Sequence, residues 1–86
     1  MDYILVIFNN RTDTMRLYES LRRLGVRSVI VPTPNQLSAS CGLSLKVRYS
    51  YLNRVVATIK SQGFRSPYRI YLERRGIVGG VYTKII

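Results

Sequence analysis

The chain has 86 residues, 47% of them hydrophobic, enough for one folded domain and too few for a second core. Fourteen Lys and Arg against four Asp and Glu give a formal charge of +10, with one cysteine and no histidine. This inventory excludes Ser–His and Cys–His nucleophile pairs, metal sites built from several N or S ligands, and an internal disulfide.

Met1-Asp2-Tyr3 has no basic segment ahead of a long apolar stretch, so it does not read as a secretory signal. The longest apolar run, Ile4 to Phe8, is far short of the ~20 residues of a membrane span. A soluble protein of the reducing cytoplasm is expected, with no membrane partner. Ile4-Leu5-Val6-Ile7-Phe8 is β-prone and predicts a central strand buried on both faces. Asn9, Asn10 and Thr12 offer N-caps for a helix with the apolar stripe Leu17, Tyr18, Leu21 and Leu24. Gly25 is placed to end it in a left-handed conformation.

Val26 to Val31 predicts the second strand, closed by Pro32-Thr33-Pro34 because proline cannot donate to a sheet ladder. Residues 35–42 form a loop or a single helical turn that delivers Cys41. Leu43, Leu45 and Val47 then alternate with Ser44, Lys46 and Arg48, the period of a strand with one buried face. Ser50 is expected to cap a second helix with the stripe Leu52, Val55, Val56 and Ile59, ended by Gly63. Tyr68, Ile70 and Leu72 mark a fourth strand. Arg74-Arg75-Gly76 is expected to turn the chain into a weaker β-like tail from Val81 to Ile85.

The order β-α-β-β-α-β predicts an α+β, ferredoxin-like sandwich over residues 1–86, with its core at about 2–75 and a tail at 76–86. Four antiparallel strands carry both helices on one face. The other face is left for the tail or a second subunit to cover.

The chemistry centres on Cys41, which lies in the small, polar run Ser38-Ala39-Ser40-Cys41-Gly42. Gly42 lets the backbone adopt a left-handed conformation and frees amide N–H groups to face an anion. A thiolate there, in a strongly positive field to which Lys46 and Arg48 contribute, is expected to have a pKa below the ~8.5 of a free thiol. The competing reading is a small buried hydrophobe. Asp13 and Glu19 lie six apart on one helix and do not face each other as a glycosidase pair would. No glycine-rich dinucleotide or phosphate-loop motif is present, so stand-alone catalysis is not expected. Seven tyrosines among many arginines also invite a nucleic-acid reading. Against it, the third strand carries no aromatic, and Tyr18 and Tyr68 fall on apolar faces.

With Pro32-Thr33-Pro34 leading into Leu37-Ser38-Ala39-Ser40-Cys41-Gly42-Leu43, the chain resembles a small family of selenium/sulfur carrier-like proteins, also called DUF3343, over about residues 2–75. The resemblance implies a carrier whose Cys41 holds a persulfide or selenopersulfide, in a loop supported by Pro32, Thr33, Pro34, Ser38, Ser40 and Gly42. It implies no cofactor and no metal. Its partners would be a cysteine desulfurase or other sulfur or selenium donor and acceptor proteins, and its state a monomer or homodimer. The alternative is a basic binding or interaction domain, with RNA among its candidate ligands, in which Cys41 has no chemical role.

Overall fold

The computed structural model describes residues 2–37, 42–64, 67–75 and 80–86, apart from the side chain of Arg75. Its centre is β1 (Tyr3–Phe8), in which Ile4 to Phe8 are all buried although only alternate residues can face one layer. Helix α1 (Arg11–Arg23) follows at once. Asn10 caps it, its side-chain oxygen accepting the Asp13 N–H at 2.8 Å, and Thr14 Oγ1 donates back to the Asn10 carbonyl at 3.1 Å. Asp13 in the first turn and Arg22 and Arg23 in the last complement the helix dipole.

Gly25, at φ 75°, ends α1. Its N–H donates to the Arg22 carbonyl at 3.1 Å and that of Val26 to Leu21 at 2.9 Å, the paired bonds of a Schellman motif. This closure corrects two expectations. Leu24 is the C-cap and 53% exposed instead of part of the stripe. Val26 is tied back to the helix, so the second strand begins later: β2 spans Ser28–Pro32. Pro32 belongs to that strand, opposite Leu43, and its missing N–H is tolerated because β2 is an edge.

β3 (Leu43–Arg48) leads into a 3-10 turn, Tyr49–Tyr51, and then α2 (Leu52–Gln62). Ser50 therefore sits inside the turn and does not cap α2, whose N-cap is Tyr51 without a side-chain bond. Gly63 closes α2 in the left-handed region.

β4 (Tyr68–Arg75) and β5 (Gly80–Lys84) complete a five-stranded sheet of order β2-β3-β1-β4-β5, with every neighbouring pair antiparallel. The expected four strands become five. The tail is a full strand with Tyr71 opposite Lys84 and Glu73 opposite Tyr82, and Arg74 and Arg75 are paired within β4 instead of turning. The expected turn residue Gly76 lies outside the described residues. Pairing with the β4 edge satisfies backbone groups that would otherwise be open, so the tail extends the sheet instead of covering its bare face.

Ile4, Val6 and Phe8 from β1 join Leu45, Val47 and Ile70 in one cluster with Leu17 and Leu21 of α1 and Val55 and Ile59 of α2. Both helices thus cover the same face. Phe8 stacks on Phe64 at 5.2 Å, and Tyr18 and Tyr68 pack against the cluster, as their apolar positions predicted.

Candidate functional site

The connection from β2 to β3 is pinned at its base. The Thr33 N–H donates to the Gly42 carbonyl at 2.9 Å, and the hydroxyls of Thr33 and Ser44 are hydrogen-bonded at 2.7 Å. Ser44 is fully buried, so this second tie is shielded from competing water. Inside the loop, the Leu37 N–H donates to the Pro34 carbonyl at 2.9 Å, closing a turn over Pro34–Leu37. Gly42 has φ 72°, and an added Cβ would meet no atom within 4 Å. The position therefore selects glycine for backbone conformation and not for space.

Of the expected site residues, Pro32, Thr33, Pro34 and Gly42 form the two sides of this base. Ser38, Ser40 and Cys41 lie outside the described residues. The loop leaves the sheet at the end where β1 stops and α1 starts, since β1 runs antiparallel to β3. Along α1 a broad groove of about 730 Å³ is bordered by Arg11, Met15, Arg16, Arg23 and Gln62, with Glu19 the one carboxylate among its lining residues. Arg16 bridges the two helices, donating to the Gln62 carbonyl at 3.2 Å and lying 4.5 Å from the Phe64 ring centre.

The face of the sheet opposite the helices carries Tyr3, Leu5 and Ile7 of β1, which alternate with the core residues Ile4, Val6 and Phe8. Register places Lys46 and Tyr71 beside Leu5, Arg69 beside Ile7, and Arg48 and Glu73 beside Tyr3. Leu5 and Ile7 are nonetheless buried, with the long side chains of Lys46, Tyr71 and Arg69 beside them in register. Lys46 Nζ is 2.8 Å from Glu73 Oε1 and 4.6 Å from the Tyr3 ring centre, and Arg69 donates to the Tyr71 hydroxyl at 3.2 Å.

Tyr82, opposite Glu73, packs onto Gly80, where a Cβ would stand 2.9 Å from its hydroxyl oxygen. Burial raises the pKa of Tyr82 above the usual 10.0, and its hydrogen bond to Glu73 and that carboxylate's charge push the same way. At the β2 side, Tyr3, Arg27, Val29, Val31, Lys46 and Arg48 line a groove of about 370 Å³.

Tyr3 on the first strand is legible from the sequence, but the rest of this surface is hidden because β3, the other central strand, carries no aromatics. They stand on β1, β4 and β5, and the period-two run Arg69, Tyr71, Glu73, followed by Tyr82 and Lys84, is the signal that could have found it.

Among the described residues, no group of three or more His, Cys, Asp or Glu could hold a metal, and no helix is long and apolar enough to cross a membrane. No curated protein and no solved structure matches the chain. A family model does match, over residues 2–71, a span that takes in β1 to β3, both helices, the start of β4, the pinned loop and Cys41. The chain belongs to the family described as "Putative Se/S carrier protein-like".

Proposed function

We propose that Cys41 carries sulfur or selenium as a persulfide or selenopersulfide and relays it between partner enzymes. The observation that carries this reading is the family match across residues 2–71. The Cys41 thiolate attacks the outer sulfur of a donor persulfide. The donor's S–S bond breaks, a new S–S bond forms on Cys41, and the donor leaves as a thiolate. An acceptor thiolate then attacks the outer sulfur and releases Cys41 as the thiolate. Neither transfer needs an external oxidant or a proton-relay side chain, in keeping with a chain that has no histidine.

Three features support the reading. The bonds from Thr33 to Gly42 and Ser44 fix the base of the loop next to Cys41. The N-terminus of α1, the positive end of its dipole, emerges at the same end of the sheet and favours an anion there. The arginine-bordered groove along α1 suits an acidic donor or acceptor enzyme such as a cysteine desulfurase, whose approach the +10 charge accelerates at low salt. The strand order β2-β3-β1-β4 supports a ferredoxin-like unit, to which β5 is added. A reducing cytoplasm is the compartment in which a lone carrier thiol stays available.

The test is the pH dependence of Cys41 alkylation by a small haloacetamide, with mass spectrometry after exposure to a desulfurase and cysteine. Alkylation should follow a pKa below the ~8.5 of a free thiol, and the protein should gain one sulfur atom that Cys41→Ser cannot take up. Protection of Cys41 until the domain unfolds would overturn the proposal.

A further inference from the structure

All four Asp and Glu side chains are engaged: Asp2 with Arg74, Glu19 with Arg22, Glu73 with Lys46, and Asp13 in the cap of α1. None is paired with Arg27 or Arg48, both exposed on the groove at the β2 side of the open sheet face. The same groove exposes an apolar surface, since Val29 is 55% accessible and Val31 partly so. Tyr3 forms its wall, and partly exposed Tyr71 and Tyr82 stand on the same face in β4 and β5, with Glu73 between Tyr3 and Tyr82. The five strands make this face about 19 Å wide at ~4.8 Å per strand. Cations beside flat apolar and aromatic surface are what a polyanion with stackable rings requires.

We propose that the open face of the sheet docks single-stranded nucleic acid, with phosphates on Arg27 and Arg48 and unpaired bases against Tyr3, Val29 and the tyrosines of β4 and β5. This goes beyond the carrier reading and does not depend on Cys41. A second copy of this chain fits the face poorly, because each copy brings a charge of +10. An acidic peptide would use the cations but leave Val29, Val31 and the rings in water. A duplex hides the base faces that the tyrosines would stack on, so a single strand is the better match.

The test is fluorescence anisotropy of a labelled oligouridine of about ten nucleotides with the intact chain, repeated over a salt series. A duplex RNA and polyglutamate serve as competitors. Contacts at Arg27 and Arg48 predict a slope of log K against log salt of about −1.4, falling toward zero in the Arg27→Gln, Arg48→Gln double variant. Tyr3→Ala should weaken binding roughly tenfold, while Tyr3→Phe, which keeps the ring and the fold, stays within about twofold. Cys41→Ser should bind as the parent does, and Tyr3→Ala should still load sulfur, which separates failure here from failure of the carrier reading. Absence of binding at low salt would overturn the proposal. So would equal competition by duplex or polyglutamate, or insensitivity to both the arginine and the tyrosine changes.

Discussion

The two faces of the sheet are built from the same strand in opposite ways. On one side Ile4, Val6 and Phe8 of β1 are covered by the apolar stripes of α1 and α2. On the other, Leu5 and Ile7 are just as inaccessible, yet the side chains beside them in register are Lys46, Tyr71 and Arg69. A helix brings a second apolar layer, so its face is sealed and chemically silent. Amphipathic stems remove a strand residue from water while leaving ammonium, guanidinium and phenol groups at the surface. Burial of a strand residue therefore does not mean that its face is occupied. The helix face gives the domain its stability, and the open face keeps a surface on which a ligand can dock.

The comparison breaks most directly by cutting one leucine from each side. Leu17→Ala in α1 removes a fully buried side chain between rigid elements and should cost about 4 kcal/mol. Leu5→Ala should cost nearer about 2 kcal/mol, because the flexible stems of Lys46 and Arg69 can settle into the space. Urea unfolding of both variants measures this, and equal losses would mean that the open face is packed as rigidly as the covered one.

A smaller effect tests the polar roof. Glu73→Gln removes the charge partner of Lys46, whose side chain is one-third exposed, and should cost about 1 kcal/mol or less in a thermal melt at neutral pH. The same substitution should bring the Tyr82 pKa back toward 10.0, read from phenolate absorbance, because Glu73 is one cause of the rise. A loss of several kcal/mol would show that the roof carries the fold.

The smallest expected effect is a pH dependence. The folded-state pKa of Tyr82 is raised, so the unfolded chain releases this proton first as pH climbs past 10.0. Its contribution to stability is intact below that pH and is lost as pH rises through the folded pKa. Tyr82→Phe should flatten this part of the stability curve relative to the parent in matched urea titrations. Parallel curves would mean that Tyr82 titrates as it does in the unfolded chain.

Local rules made much of the chain legible. β3 was delimited by its alternation, the end of α1 by Gly25 and the end of α2 by Gly63, because caps and period are set by neighbours a few residues away. From the three N-caps offered for α1, the structure picked Asn10. The cysteine loop was legible as a motif, and its base at Thr33 and Gly42 falls where the prolines and glycine placed it. Where a longer-range bond competed, the local reading failed. Val26 reads as strand but is held by Leu21, and Ser50 reads as a cap but lies in a 3-10 turn.

The sequence alone determined the excess positive charge, the lone thiol in its run of small residues and the carrier-family motif around it, all of which depend on composition or on contiguous residues. Only the tertiary structure decided that the tail becomes β5, that Tyr3, Tyr71 and Tyr82 share one face with Lys46 and Arg48, and that no helix among the described residues lies on that face. The physical reason is register. A side chain's place across a strand follows from its own period, but which strands lie side by side is set by pairing between residues tens of positions apart. The open face exists only once those pairs have formed.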